Sequence, residues 1–387
     1  MRSTLKYWPL SAFYGTYYLV LGAFSPYFGP FLTSRGFSAF DLSLVMSAWY
    51  AARVFAPPGW SLVIRRSSDP IRWLRLGAAA TLVAFSAYWW THNLFWMLAI
   101  MLVFASAYNS ILPQFEALAL SKLGKDRADY GRIRVWGSIG FVIANLSFGS
   151  LLSLLGYGSL ILAMLPCFLL LLIATWLNEY PKVAPHLQDI ASITSENIPG
   201  KAKSGLISFF AAAILMQAAH GAFYVFYSVH LDKNGYDARW IGGLWATGVL
   251  AEIAMFLWLP KILSRLGAHK LMTWCFAAGC VRWILTAELP QYPWVMMAAQ
   301  LTHALTFAAF HGACMHRIAD YYPAGRATHG QALLFGLSSG VGGVAGAWLA
   351  GALWMLGSGS ASFLGAAVVS ALGFWLMWRE REVAAVP

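Results

Sequence analysis

The sequence predicts an all-α membrane protein in which twelve transmembrane helices form two pseudo-symmetric bundles of six. Three observations predict it: an apolar composition, a series of long apolar segments, and an uneven distribution of basic residues. Of the 387 residues, 59% are hydrophobic and 11% are charged, whereas a soluble domain carries about 25% charged residues. Because so few polar side chains cannot cover a soluble globule, lipid is the expected solvent.

The apolar segments give the number and order of the predicted helices. A helix needs about 20 apolar residues to cross the hydrocarbon core, and segments of this kind lie at 9–33, 41–64, 73–91, 94–121, 133–155, 158–178, 205–231, 238–263, 269–287, 292–319, 328–356 and 360–378. The first runs too long for a signal peptide, so we expect it to be retained as a span. We therefore expect an N-terminal bundle at 1–180, a cytoplasmic linker loop at 181–204 and a C-terminal bundle at 205–387.

The lysines and arginines indicate the orientation in the membrane. With the N-terminus in the cytoplasm, all but five of the 26 fall on the cytoplasmic side: Arg35, Lys233 and Arg239 lie opposite, and Arg53 and Arg282 lie inside spans. Cytoplasmic loops carry the excess of basic residues, so we expect both termini on the cytoplasmic side of a bacterial inner membrane. The net charge of +11 is dispersed among these loops, which argues against binding to nucleic acid.

A shift of 199 residues relates the two halves of the sequence. It aligns Gly36-Phe37 with Gly235-Tyr236, ahead of the second and eighth spans, and Trp136-Gly137 with Phe335-Gly336 in the fifth and eleventh. Two regions that share one offset indicate a duplicated six-helix unit. Paired repeats of this kind are typical of carriers in which one half rocks against the other.

Several ionisable side chains fall in the middle of spans. Such residues cost about 2.5–3.5 kcal/mol each on insertion scales and usually face a cavity or a partner. They are Arg53, Glu116, His220, Glu252, Arg282, His303 and His311, and the shift of 199 makes Arg53 equivalent to Glu252. A carboxylate in a low-dielectric cavity binds a proton more readily, whereas a nearby arginine favours its ionised form. Glu252 beside Arg282 would therefore change protonation as its partner moves, as proton coupling requires.

Structural roles remain open for the other residues. Glu116 and Arg134 are compatible with an ion pair at the cytoplasmic end of their helices, Arg53 with hydrogen bonds to backbone carbonyls, and the histidines with packing. Aromatic residues recur at helical spacing beside two histidines: His303, Phe307, Phe310 and Cys314 in the tenth span, and His220, Tyr224 and Tyr227 in the seventh. An aromatic lining with cationic groups suits an aromatic or amphipathic anion, but such stripes also occur in ordinary helix packing.

Several short stretches resemble the phenylpropionate permeases of the major facilitator superfamily. They are Asp129–Ser138, Gln217–Gly221, Leu250–Ile253, Val281–Trp283 and Leu301–His303. The resemblance runs through most of the chain, from Gly22 to Gly351. It implies the major facilitator fold, proton symport of an aromatic monocarboxylate and a monomeric state. We expect no cofactor, catalytic site or metal site.

The site pattern resembles, more distantly, that of the lactose permease. The sugar-binding carboxylate and arginine of that family lie 18 residues apart, as Glu116 and Arg134 do, and Phe141 replaces its stacking tryptophan. Its coupling glutamate, arginine and histidine correspond to Glu252, Arg282 and His303. The resemblance therefore implies a substrate site in the first half and a coupling site in the second.

The chain also departs from that pattern. Where the lactose permease family has a proton-carrying glutamate, this chain has Thr306. Where that family has an acid–lysine pair between spans seven and eleven, this chain has Phe223 and Ser339 near the corresponding positions. The loop Gly59–Arg75 lacks the usual facilitator signature. The identity of the proton carrier therefore cannot be transferred, and Glu252 and Glu116 are the remaining carboxylate candidates.

The leading hypothesis is a proton-coupled importer of a small organic anion, 3-phenylpropionate or a similar aromatic acid. Candidate substrate-binding residues are Arg53, Glu116, Arg134, Phe141, His220, Tyr224 and Phe307, and candidate proton-coupling residues are Glu252, Arg282, His303 and Glu116. The alternative is a sugar or nucleoside proton symporter of the same fold, which the Glu116 and Arg134 pair favours. An intramembrane enzyme is disfavoured because the sequence contains no Walker A or HExxH motif, and a sensor because the loops are short.

Overall fold

The computed structural model describes residues 6–179, 200–322 and 327–384, which are helical apart from short turns. The helices of the first half are α1 Trp8–Ser34, α2 Ala39–Arg65, α3 Pro70–Ser86, α4 Leu94–Leu123, α5 Tyr130–Leu155 and α6 Leu160–Trp176. Those of the second half begin with α7 Gly200–Lys233, α8 Ala238–Leu266 and α9 Ala268–Glu288.

The last three helices are interrupted. Helix α10 consists of Pro293–Leu301, a π-helical turn Ala304–Ala309 and Phe310–Tyr321. Helix α11 consists of Ala327–Leu334, a π-helical segment Phe335–Gly342 and the first part of Gly343–Ala384, and α12 is the rest of that segment after a break at Gly357 and Ser358. The described residues therefore form the twelve helices predicted from the apolar segments.

Six helical segments of the described residues are individually long and apolar enough to cross a membrane. They are Leu94–Leu123, Tyr130–Leu155, Tyr157–Trp176, Gly205–Lys233, Ala238–Leu266 and His329–Glu380, the last of which contains parts of both α11 and α12. Helix α3 has only 17 residues, and α10 is divided by its π-helical turn. Length and composition taken one helix at a time therefore select part of the series, whereas the alternation of apolar and polar stretches along the whole sequence predicts all twelve helices.

Local chemistry accounts for where the helices begin and end. Ser38 and Asp41 form a reciprocal capping box at the start of α2, which satisfies two backbone N–H groups. Asp69 caps α3, whose first residue is Pro70, a residue suited to that position. After α1 and α7 the chain turns at Gly36 (φ +85°) and Gly235 (φ +87°), because glycine adopts this backbone conformation without steric cost. The repeat of 199 residues thus aligns two equivalent helix ends.

Contacts between Cα atoms divide the chain into two compact units. The first contains α1–α6 together with Tyr236–Ala246, and the second contains α7, α8 from Thr247 onward and α9–α12. The predicted domain limits at 1–180, 181–204 and 205–387 stay predictions. Most of the predicted linker, 181–199, lies outside the described residues, as do the terminal residues 1–5 and 385–387.

Each unit contains a close crossing between its first and fifth helices. A Cβ atom at Gly22 of α1 would lie 2.6 Å from the carbonyl oxygen of Phe141 on α5, and one at Gly221 of α7 would lie 2.3 Å from the carbonyl carbon of Gly346 on α11. Gly22 and Gly221 are also 199 residues apart. The absence of a side chain lets the backbones approach closely in both units, and this shared crossing is the structural counterpart of the sequence repeat.

Candidate functional site

A buried arginine on α9 organises the polar interior of the second unit. Arg282 is 1% exposed, and its Nη1 donates to Nδ1 of His303 at 2.7 Å and to Oγ1 of Thr306 at 3.0 Å. Its Nη2 donates to Oε1 of Gln300 at 3.4 Å. The three acceptors recur every three residues along α10, so one face of that helix presents them together. Such acceptors are required because a buried guanidinium without partners would be strongly unfavourable.

Two aromatic rings flank this guanidinium. Its Cζ lies 4.5 Å from the ring centroid of Phe223 on α7 and 4.3 Å from that of Trp283. Cation–π contacts in a desolvated setting contribute about 2 kcal/mol or more. The rings therefore stabilise the charge while its N–H groups remain available to α10.

The arginine determines the tautomer of His303. Because an arginine only donates hydrogen bonds, Nδ1 of His303 must accept, and in the neutral ring the hydrogen is then on Nε2. That nitrogen lies 2.8 Å from Oε1 of Glu252 on α8 and donates to it. Glu252 keeps 15% of its side chain exposed. A continuous chain thus leads from the guanidinium through a neutral imidazole to a carboxylate, and it joins three of the four residues predicted to act in coupling, whereas Glu116 lies in the first unit.

A second histidine borders this chain from α7. Nδ1 of His220 donates to the carbonyl oxygen of Met216 at 2.8 Å, and its Nε2 lies 3.5 Å from Nη1 of Arg282. Nη1 carries only two hydrogens, which the shorter contacts to α10 use, so this third contact is the weakest. Tyr224 follows one turn later with its ring 6.0 Å from that of His220. Both predicted residues, His220 and Tyr224, therefore lie beside the chain from Arg282 to Glu252.

The π-helical turn in α10 separates two groups of residues that the sequence had placed on one face. Phe307 stacks on His303 with ring centroids 5.4 Å apart and is 38% exposed. Phe310 instead packs against Phe276 in the apolar core, where Cys314 is also buried. A π-helical turn inserts an extra residue into the helical repeat. The predicted continuous stripe is therefore wrong beyond Phe307.

In the first unit, Glu116 and Arg134 interact with tyrosines. Oε1 of Glu116 accepts from the hydroxyl of Tyr130 at 3.4 Å, whereas Nη2 of Arg134 donates to the hydroxyl of Tyr18. The guanidinium also lies 4.2 Å from the ring centroid of Tyr18 and 5.3 Å from that of Tyr14. Between these two described side chains no direct ion pair forms, so the ion pair considered from the sequence is wrong.

Arg53 on α2 bonds a side chain of α4. Its Nε donates to Oδ1 of Asn109 at 3.3 Å, and its guanidinium lies 5.5 Å from the ring centroids of both Trp49 and Tyr50. The alternative in which Arg53 bonds backbone carbonyls is therefore wrong. Glu252 on α8 likewise reaches α10, so in each unit a charged residue on the second helix contacts the fourth.

Phe141 lies seven residues after Arg134 on α5 and is partly buried. Its backbone forms the close crossing with Gly22, and its carbonyl oxygen accepts from Nδ2 of Asn145 at 2.8 Å. The role predicted for its ring as an aromatic platform stays a prediction.

Sequence reasoning missed several partners of the predicted residues. The sequence predictions do not include Gln300, and they include Thr306 only as a departure from a related pattern, although polar residues at 300, 303 and 306 in an apolar span form a recognisable signal. Trp283, Tyr18 and Asn109 carry no comparable signal. Tyr18 and Asn109 become partners only through the packing of different helices, whereas Trp283 directly follows Arg282 on α9.

Comparisons with known proteins agree with this architecture. The model of the MFS_1 like family matches residues 7–364. The chain belongs to the major facilitator superfamily. It is 31% identical over 313 residues to a protein of Escherichia coli (strain K12) named "Probable 3-phenylpropionic acid transporter", covering 79% of this chain and 80% of that protein. The predicted relation to the phenylpropionate permeases of this superfamily is thereby confirmed.

The chain is also similar to a more distant permease in sequence and to a solved transporter in fold. The maltose permease of Geobacillus stearothermophilus is 23% identical over 289 residues, covering 74% of this chain and 72% of that protein. The crystal structure of the nucleoside transporter NupG superposes with a TM-score of 0.81 at 16% identity, covering 98% of this chain and 99% of that chain. This likeness shows the major facilitator fold. The protein is a multi-pass membrane transporter of this superfamily and is not an enzyme.

Proposed function

We propose that this facilitator is a proton-coupled symporter of a small organic anion, 3-phenylpropionate or a similar aromatic acid, that works by alternating access. The observation that carries the proposal is the chain from Arg282 through His303 to Glu252, built inside apolar helices. Ionisable residues are retained in a membrane interior chiefly where they serve an ion or substrate pathway. We assign proton coupling to these three residues, with Glu116 as a second carboxylate candidate.

The surroundings of this chain support an aromatic acid as the substrate. Phe307 is partly exposed and stacks on His303, and Tyr224 lies beside His220. An aryl ring packs against such side chains, and a carboxylate pairs with a buried cation. The name of the Escherichia coli relative points to the same chemistry. We assign substrate contacts to Arg53, Glu116, Arg134, Phe141, His220, Tyr224 and Phe307.

The organisation in the membrane is also part of the proposal. The distribution of basic residues supports both termini in the cytoplasm of a bacterial cell, and the repeat of 199 residues supports two six-helix domains. Rocking of one six-helix unit against the other would alternate access to the substrate, with the monomer as the working unit.

A sugar or nucleoside proton symporter is the second candidate. The group around Glu116 and Arg134 favours it, because the hydroxyls of Tyr18 and Tyr130 accompany a carboxylate and a guanidinium that form no direct ion pair. Donors and acceptors of this kind also suit a neutral polyhydroxylated ligand.

The test is uptake of radiolabelled 3-phenylpropionate into proteoliposomes with an imposed inward proton gradient. Wild type is compared with Glu252→Gln and with the control Glu288→Gln, an exposed carboxylate at the end of α9. We expect gradient-dependent uptake in wild type and the control, and its loss in Glu252→Gln. Uptake that is equally strong without a gradient would exclude proton coupling.

A competition experiment separates the two candidates. Unlabelled aromatic acids, sugars and nucleosides are added in excess to the same uptake assay, and thermal stabilisation by each ligand is measured in parallel, since a ligand that binds the folded state raises the melting temperature. Competition by aromatic acids alone supports the first candidate. Stabilisation by a sugar or nucleoside alone would establish the second.

A further inference from the structure

In the site of the second unit, the positive charge of Arg282 balances the negative charge of Glu252, and the histidine between them is neutral. The Arg282 cluster, defined as Glu252, Arg282, Gln300, His303 and Thr306, contains one cation and one carboxylate. Arginine stays protonated in proteins, and the hydrogen bonds to Nδ1 and from Nε2 leave His303 uncharged. The empty cluster with Glu252 ionised therefore has no net charge.

The other titratable groups that face this cluster come from α7. Among the described residues they are His220, Tyr224 and Tyr227. His220 donates from Nδ1 to a backbone carbonyl and accepts on its other nitrogen, so it is neutral as well. The charge of the cluster is thus decided by Arg282 and Glu252.

Protonation of Glu252 removes the negative charge that balances Arg282. It also removes the ionised acceptor of the Nε2–H of His303. The Nε2–H of His303 then faces a neutral carboxyl, while Arg282 on its other side still carries a positive charge. Hydrogen bonds between an ionised partner and a donor are about twice as strong as neutral ones. A second carboxylate is the group that restores both the charge balance and the strong hydrogen bond.

The exposed part of the cluster suits such a carboxylate. Arg282 is almost wholly enclosed, whereas Glu252 keeps 15% of its side chain exposed and Phe307 is 38% exposed. Because Phe307 stacks on the His303 ring, an aryl acid could place its ring on Phe307 with its carboxylate toward Nε2. A ligand can thus contact the imidazole of His303, which is polarised by its hydrogen bond from Arg282, but not the enclosed arginine itself.

We infer that the substrate carboxylate replaces Glu252 on the Nε2–H of His303 while Glu252 carries the proton, so that each monocarboxylate anion crosses with one proton and transport is electroneutral. The inference rests on the proposed function of this facilitator and specifies its stoichiometry and binding geometry. A hydronium ion transfers its proton to a carboxylate oxygen of Glu252 and becomes water, the hydrogen bond from His303 to Glu252 breaks, and the substrate carboxylate accepts that hydrogen bond in its place. Release on the other side reverses each step, and the loaded and empty clusters both carry no net charge.

The decisive measurement varies the membrane potential independently of the pH gradient. Wild-type proteoliposomes take up 3-phenylpropionate under a fixed inward proton gradient while potassium and valinomycin set the potential. A carrier that moves one net charge changes its accumulation ratio about 50-fold per 100 mV, whereas we expect an unchanged ratio. Accumulation that rises with an inside-negative potential would overturn the inference and leave proton-coupled transport standing. Absence of uptake under every gradient would overturn the proposed function itself.

Binding measurements test the exchange of carboxylates directly. Thermal stabilisation by 3-phenylpropionate is followed from about pH 6 to about pH 8, where the acid is ionised. We expect the apparent affinity of wild type and of the control Glu288→Gln to fall as pH rises. Glu252→Gln, which resembles the protonated carboxyl, should bind with an affinity that does not change with pH. If the affinity of Glu252→Gln falls with pH as in wild type, Glu252 is not the proton carrier. Should this variant fail to fold, the membrane-potential measurement still tests the inference, because it uses wild type alone.

Discussion

Nη1 of Arg282 lies 2.7 Å from Nδ1 of His303, and this hydrogen bond makes the imidazole an acceptor on one side and a donor on the other. Its donor side faces Glu252 at 2.8 Å. His303 therefore connects a buried cation to a partly exposed anion without itself carrying a charge. Three helices, α8, α9 and α10, must keep their relative positions for this connection to exist.

Replacement of Thr306 by valine tests whether the hydroxyl supports Arg282. Valine keeps the shape of threonine but removes Oγ1, which accepts from Nη1 at 3.0 Å. An unsatisfied N–H on a buried charged group costs about 1–3 kcal/mol, so we expect a lower melting temperature in detergent. The control is Thr302→Val, whose hydroxyl donates to the backbone oxygen of Ala299 at 2.7 Å. Equal losses in the two variants would assign the effect to packing alone.

Gly137 is expected to make room for the contact between Arg134 and Tyr18. A Cβ atom at Gly137 would lie 2.7 Å from Nη1 of Arg134 and 2.8 Å from Cδ2 of Tyr18. We therefore expect Gly137→Ala to displace the guanidinium and to raise the KM for 3-phenylpropionate uptake about tenfold, the effect of losing one charge-assisted hydrogen bond. Gly131→Ala is the control, since a Cβ there meets no atom within 4 Å. An unchanged KM in Gly137→Ala would remove Arg134 from the substrate site.

Asp126, in the turn between α4 and α5, should contribute stability that depends on pH. It accepts from the hydroxyl of Tyr7 at 2.7 Å and from Nζ of Lys6 at 3.0 Å, and these hydrogen bonds lower the pKa of its carboxyl below the ordinary value of 3.8. Because the pKa in the folded state is the lower one, the contribution is present above pH 3.8 and is lost as pH falls through the lowered pKa.

The variant Asp126→Asn measures this contribution. We expect a slightly lower melting temperature than wild type at about pH 7, with a difference that closes as pH falls below the ordinary carboxyl value of 3.8 and through the lowered pKa of Asp126. The effect is small because both charges are exposed, and added salt should reduce it further. A difference of the same size at low pH would show that the carboxylate charge is not its source.

Ser358 lies at the break between α11 and α12 in a strained backbone conformation. Its φ of 80° and ψ of −173° fall in a region that is nearly restricted to glycine and costs other residues about 1–3 kcal/mol. We therefore expect Ser358→Gly to raise the melting temperature. Ala361→Gly, at a helical position three residues later, should lower it, because glycine in a helix interior costs about 1 kcal/mol relative to alanine. A lower melting temperature in both variants would show that the conformation at Ser358 is not strained.

The sequence determined the number and order of the helices and the presence of a repeat. An apolar segment long enough to cross the hydrocarbon core can be recognised in the sequence without tertiary information. Each of the twelve helices was therefore predictable to within a few residues. Gly36 and Gly235 were recognisable as equivalent because helix ends impose the same backbone requirement wherever they occur. The ionisable residues Glu252, Arg282 and His303 could likewise be singled out, since charge within an apolar span needs no tertiary information to be noticed.

Only the tertiary structure decided which partner each of these residues takes. Arg134 bonds Tyr18 rather than Glu116, because the closeness of two side chains depends on how their helices cross and rotate. The π-helical turn Ala304–Ala309 directs Phe307 and Phe310 into different surroundings, although their spacing suggests one face. Helical periodicity describes one helix at a time, whereas the chain from Arg282 to Glu252 depends on the packing of three helices, and that packing is a property of the whole unit.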